Sequence, residues 1–452
     1  MYDDRILVVV LICSLLFCTM CIVSASALVG NVDGSSPGDE IWMDGTPPVS
    51  EIFKELNETY PFTENLIGAN SLKKEGYSIG DEETFDCSDM IEEKLYRINA
   101  TCEAVGDYCY IFVEENQILP EANAIADVFD DVIYPEDTKI FGNPRDVDGI
   151  SRIFILFLDF TSESDIGESE SSCCGYFHPK IGDTTDIIHI NVDNPEDEIK
   201  STIAHEFQHL IHYRHDPNET RWINEGCAMY ASFACLDVPQ YSHVYEYMRL
   251  PDAPLVAADV RFLYTRENMA HYGASYLWTL YLSENFGDLS NRSGHEGFIK
   301  DLVENKEHGI PGIDATLALH GYEERFDDIF KQWVVANYLE SEGKDPPLGY
   351  ASLNLPHQPP ARAGRADLRE LDVSTFSFPE KKMHSWSAAY YEIKTDDPER
   401  ITCTNDRGFW NTSFVNEHGN VVIVISPLDD HGNVTLTVSE EHLFVPVDFD
   451  EE

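Results

Sequence analysis

The sequence predicts an α+β protein in three parts: a mixed-sheet lobe, a mainly helical lobe and a small all-β, sandwich-like region. Three observations predict it. Short runs rich in β-branched and aromatic residues at 110–113, 153–160 and 187–192 are each bounded by polar or turn residues, as strands are. From Pro195 the apolar residues Ile199, Ile203, Phe207, Leu210 and Ile211 recur at helical spacing, and further helical stretches follow at 271–286 and 326–338. Past residue 368 the strand pattern returns at 388–393, 421–425 and 434–438, with Asp429-Asp430-His431-Gly432 as a turn.

A length of 452 residues leaves room for two or three modest domains, each with its own core. After an acidic start the chain is apolar from Ile6 to Val23 and then reaches Ala25-Ser26-Ala27. Residues 1–27 therefore predict a secretory signal or, if uncleaved, a membrane anchor. Either reading places the body outside the cell, secreted or anchored at its surface. Residues 28–81 begin Gly-, Ser-, Asp- and Pro-rich without an apolar period, which reads as a linker or pro-segment. A helical pattern near 122–132 lies between the first two strand runs, and Pro195 suits the first turn of the long helix. Residues 82–345 then form one unit of sheet and helices, 346–368 a linker, and 369–452 the β domain.

Beyond the signal stand Cys87, Cys102, Cys109, Cys173, Cys174, Cys227, Cys235 and Cys403. An even number permits disulfides in an exported chain, with Cys102–Cys109 and Cys227–Cys235 as local pairs. Sequons at Asn57, Asn99, Asn218, Asn291, Asn411 and Asn433 mark sites for glycans. The formal charge of -52, from 82 acidic and 30 basic residues, excludes nucleic acid as a partner and disfavours anionic membranes. It suits solubility in a salty medium, or attraction of cationic substrates.

The chemistry concentrates in the long helix, which reads Ala204-His205-Glu206-Phe207-Gln208-His209-Leu210. Two histidines four apart lie on one helical face one turn apart, as two corners of a zinc tetrahedron require. Glu206 follows the first of them and can act as general base on a water activated at the metal. Two residues compete as third ligand. His215 stands six residues after His209, the metzincin spacing, although the midway position is His212 where those sites have Gly. Glu225 stands sixteen residues after His209, far enough for the helix to end, a turn to form at Asp216-Pro217-Asn218, and a second helix to present a carboxylate, the gluzincin arrangement.

The run Trp222-Ile223-Asn224-Glu225-Gly226 resembles the third-ligand segment of aminopeptidase N-type gluzincins. A nearer resemblance is to the hyicolysin-like metallopeptidases, secreted bacterial and archaeal proteins. It rests on His205 to His209, on Trp222 to Gly226, on Tyr272-Gly273-Ala274-Ser275-Tyr276-Leu277 with Leu282 and Phe286-Gly287, and more loosely on Ile133-Tyr134-Pro135 and Phe141-Gly142. It covers roughly residues 85 to 345. The resemblance implies a zincin-like peptidase unit at 82–345 with one zinc ion on His205, His209 and Glu225, acting on proteins or peptides. It also implies a tyrosine downstream that stabilises the oxyanion, for which Tyr272 is the candidate, with Tyr276 and His271 as alternatives and helix packing as the plain reading. The strand at 187–192 resembles the zincin edge strand that aligns a peptide. Asp146-Val147-Asp148-Gly149 offers a calcium site or simply a turn. From another class, the chain reads as a surface adhesion or binding protein whose β domain does the work and whose catalytic lobe is inert.

Overall fold

Strands that are apolar at every position belong to a sheet covered on both faces. The computed structural model describes residues 76–89, 94–160, 174–257, 265–287, 297–339, 347–353, 359–371 and 375–440. Its first sheet has six strands: Glu82–Asp89 (β1), Lys94–Val105 (β2), Cys109–Glu114 (β3), Ile153–Leu158 (β4), Gly175–Tyr176 (β5) and Ile187–Asn191 (β6), in the order β1-β2-β3-β4-β6-β5. The β3, β4 and β6 strands run parallel, whereas β1, β2 and the two-residue β5 pair antiparallel. Alternate side chains divide between two cores. Ile111, Val113, Ile155, Phe157, Ile188 and Ile190 face the helices, and Tyr110, Phe112, Phe154, Leu156 and Leu158 face a second cluster with Tyr77, Phe85 and Cys102.

Helices Ala122–Val128 (α1), Tyr134–Phe141 (α2) and Pro179–Gly182 (α3) fill the connections of this sheet, with a π-helical turn at Phe129–Ile133 joining the first two. The helical lobe follows: Glu196–His215 (α4), Arg221–Leu236 (α5), Tyr241–Arg249 (α6), Arg266–Phe286 (α7), Phe298–Glu304 (α8), Ile310–Leu319 (α9) and Phe326–Leu339 (α10). The predicted stripe of α4, from Ile199 to Ile211, is buried against the sheet. Among the described residues no helix is long and apolar enough to cross a membrane.

The rest of the chain is β-rich. Strands Arg362–Asp367 (β7), Thr375–Ser377 (β8), Lys381–Met383 (β9), Ala389–Lys394 (β10), Ile401–Asn405 (β11), Trp410–Val415 (β12), Val421–Ser426 (β13), Gly432–Val434 (β14) and Leu436–Glu440 (β15) form three small sheets. The four-stranded sheet β12-β13-β10-β7 shares a core with the three-stranded β11-β15-β8. Arg362–Asp367 was expected in a linker and is instead a strand parallel to β10. Its alternation is hidden because its side chains are partly exposed and two of them are arginines facing the buried Glu392. The outer face of the four-stranded sheet packs on the helices: Ala388, Tyr390, Val422 and Val424 belong to the helical core, and Tyr390 donates to the Val334 carbonyl at 2.7 Å.

Cys87, Cys102, Cys109, Cys227, Cys235 and Cys403 are free thiols, and geometry disfavours both local pairs. Cys227 and Cys235 lie on one helix eight residues apart, roughly 12 Å of rise, too far for a bond. Cys102 and Cys109 face the two opposite cores of the sheet. The expected signal segment, Asn57, Asn291 and Cys173 lie outside the described residues.

Asp137 on α2 is fully buried, accepts the Cys235 thiol at 3.0 Å, and has a second oxygen with no partner. Burial, reinforced by Glu136, pushes its carboxyl well above the usual range, so the folded chain keeps the proton. Below the unfolded carboxyl's pKa, about 4, both states are protonated and the contribution is complete; as pH rises the unfolded chain ionises and stability is drawn away. Asp137→Asn should therefore match the parent's Tm at about pH 3.5 and exceed it by a few degrees near pH 7. A variant less stable at both values in thermal melts would contradict a protonated Asp137.

Candidate metal centre

The centre is built on two helices and the turn between them. The helix α4 ends at His215, where Lys306 hydrogen-bonds the His215 carbonyl and His308 contacts Asp216 at 2.8 Å. Glu219, buried in the turn, accepts the Gly309 amide at 2.8 Å and the Thr220 hydroxyl at 2.8 Å. These contacts fix how α5 leaves α4. Against its other side α5 meets α7 at glycine: a Cβ on Gly226 would sit 2.5 Å from Thr279 Oγ1 and 2.6 Å from the Ser275 carbonyl oxygen. Gly226 thus lets the backbones approach beside Glu225.

This packing brings together the three residues proposed as ligands from sequence. His205 Nε2 and His209 Nε2 are 3.1 Å apart, and Glu225 Oε2 lies 3.6 Å from the first and 3.5 Å from the second. The His209 Nδ1 proton goes to Asn224 Oδ1, which leaves the lone pair on the nitrogen that faces the cluster. Zinc–nitrogen bonds of about 2.0–2.1 Å would separate two tetrahedral nitrogens by about 3.4 Å, close to the observed spacing. Three lone-pair donors at these distances fit a divalent ion such as zinc. Burial opposes charge on His209, yet Glu225, Glu206 and Asn224 hold its pKa above the usual value. Burial likewise works against ionised Glu225, but His209, His205 and Arg221 outweigh it and hold the carboxyl well below its usual range.

Glu206 is buried beside this cluster, and the Phe177 amide donates to its carboxylate. Burial raises its pKa, with Glu225 adding to the rise and His205 and His209 drawing it back. The strand that approaches it is β5. A Cβ at Gly175 would lie 3.0 Å from Glu206 Cγ and 2.6 Å from Thr202 Cγ2, so only glycine lets the strand lie this close to α4. The expectation that 187–192 is the sheet edge is corrected here: β6 is inner, and Gly175–Tyr176 covers it as the edge. Two paired residues leave no readable alternation.

Other sequence expectations fall differently. His215 stands apart, its Nε2 donating to the Asn143 carbonyl at 2.9 Å, because α4 runs on unbroken through His212. His212 is buried, takes the Gln208 amide at 3.2 Å, and is held neutral by burial, with its pKa down to about 3. The oxygens of Asp146, Asp148 and Asp186 cluster, but the groups that would coordinate calcium are engaged by the Gly149, Ile150, Asp186 and Val147 amides and by Arg214. They fix a turn. Tyr272 reaches the centre, its hydroxyl donating to Glu225 Oε1 at 3.4 Å; Tyr276 is buried in the helical core, and His271 Nδ1 contacts the Pro254 carbonyl.

Three neighbours were not singled out in the sequence. Asn224 orients His209, and Arg221 approaches Glu225 from one turn earlier, a spacing that could have been read. His243 on α6 lies beside Tyr272, ring centroids 5.8 Å apart, and near enough to His205 to feel its charge. Burial first, then His205, bring its pKa down to about 4. Only tertiary structure reveals it: Gly273 lets the α6 backbone pack against α7, since a Cβ there would fall 2.1 Å from the His243 carbonyl oxygen.

No family model matches the sequence. The chain is similar to the neutral metalloprotease ShpI of Staphylococcus hyicus, 24% identical over 295 residues, a match covering 60% of this chain. It spans 65% of that protein, less than two thirds of its length.

Because the contact at Gly226 is with a backbone carbonyl, the helices cannot relieve an added methyl by rotating a side chain. Gly226→Ala should cost about 1–3 kcal/mol in denaturant unfolding. An unchanged midpoint would mean that α5 and α7 are not in backbone contact at this point.

Proposed function

We propose that this chain is an exported, zinc-dependent metallopeptidase of the hyicolysin-like, gluzincin type, acting as an endopeptidase on proteins or peptides. The observation that supports it most is the convergence of His205 Nε2, His209 Nε2 and Glu225 Oε2 beside a buried carboxylate, Glu206. The likeness to a neutral metalloprotease supports the same reading.

His205, His209 and Glu225 would hold the ion. Zinc bound there supplies Lewis acidity and lowers the pKa of water toward neutrality. Glu206, buried beside the cluster, would take the proton from the attacking water and return it to the leaving amine. Burial favours the protonated acid, so the proton is kept at the carboxyl rather than lost to solvent. The edge strand β5 lies along α4 beside Glu206, in the place where a strand would align an extended peptide. Tyr272 is the candidate donor to the developing oxyanion; its proton now rests on Glu225 Oε1 and must be exchanged to serve that role.

Glu206→Gln should retain about one zinc per chain in metal analysis while cleavage of an unfolded protein substrate falls by at least about a thousandfold. Cleavage retained at the parent's rate removes Glu206 as general base. Chelator treatment should abolish activity and added zinc restore it; activity indifferent to chelator removes the metal from the proposal.

A further inference from the structure

The helix α5 begins at Arg221, four residues before Glu225, so the two side chains lie on one face a turn apart. The two oxygens of Glu225 have different company. Oε2 faces both imidazoles, at 3.6 and 3.5 Å. Oε1 faces away from them, with Arg221 Nε at 3.4 Å and the Tyr272 hydroxyl at 3.4 Å. A third contact closes this triangle, from Arg221 Nη2 to the Tyr272 hydroxyl at 3.4 Å. One guanidinium therefore touches both the carboxylate and the tyrosine, a pairing that a planar fork makes and a point charge does not.

We propose that Arg221 is a positioning residue of this centre, restraining the outer oxygen of Glu225 and the Tyr272 hydroxyl together so that the glutamate presents one oxygen, not two, to the ion. This rests on the metal-centre reading above. A carboxylate free to swing binds with both oxygens and crowds the open position that water and substrate require. Arg221 also places a positive charge next to the buried Glu225. Removing it leaves Oε1 of Glu225 with the Tyr272 hydroxyl at 3.4 Å.

The test uses the full chain stripped of metal, with cobalt(II) as a spectroscopic probe and zinc in competition with a chromophoric chelator. The Arg221→Met variant is expected to bind either ion about 10–100-fold more weakly. Its cobalt form should lose visible absorption intensity as the coordination number rises. Arg221→Lys should recover part of the affinity, because the charge remains, while keeping the altered spectrum, because the fork is gone. Wild-type affinity and spectrum in Arg221→Met overturn the assignment. Should that variant fail to fold by circular dichroism, wild-type behaviour of Arg221→Lys on both measures overturns it equally. A parent chain that takes up neither ion defeats the metal-centre reading and this proposal with it. A parent that binds metal but cleaves nothing defeats only the peptidase reading, and the variants' spectra still decide the role of Arg221.

Discussion

Two imidazole nitrogens and a carboxylate oxygen, packed close together in a largely buried place, repel one another unless something positive sits among them. Much of the surrounding structure serves that unfavourable convergence. Asn224 fixes the His209 tautomer, the Lys306–Gly309 segment clamps the α4–α5 turn, and Gly226 lets α7 close behind Glu225. A fold with no need of a cation there has no evident reason to hold these groups so near.

The legible part of the molecule was the part governed by local period. The strands β3, β4 and β6 announce themselves because both faces are buried, and α4 because its stripe is unbroken from Ile199 to Ile211. His205, Glu206 and His209 follow from helical spacing alone. Glu225 and His215 stayed open on spacing, since either could be reached depending on where the helix stops. What stayed hidden depends on contact between distant segments. The β1–β2 hairpin alternates with many polar residues, β5 is two residues long, and β7 hides its pattern behind arginines. His243 comes to the centre only through the close approach of two helix backbones at Gly273. The Asp146–Asp148 segment reads as a turn or a cation loop because the same carboxylates that bind calcium also bind backbone amides, and here they bind amides.

In a chain with 82 acidic and 30 basic residues, the positions of the cations are informative. Several sit at buried acids. Arg214 meets Asp186 at 2.7 Å, Arg362 and Arg365 both meet Glu392 at 2.6 Å, and Arg221 stands at Glu225. Exposed acid keeps the surface highly hydrated, whereas an interior carboxylate needs a specific counter-charge. The arginines thus mark where acidity is structural, in the turn below α4, in the β region and at the centre.

The strand β13 has consequences for how the chain can be divided. Val421, Ile423 and Ile425 point into the core between the C-terminal sheets, while Val422 and Val424 point into the core of the helices. Nearby, the Ala388 amide donates to the Pro251 carbonyl and the Leu255 amide to the Trp386 carbonyl, tying the β region to the segment that links α6 to α7. A single plank therefore serves as a wall of two rooms. Trimming the chain ahead of residue 362 would bare an oily surface on α10 and loosen the link between the helices bearing His243 and Tyr272, so the β region behaves as a buttress and not as a removable appendage.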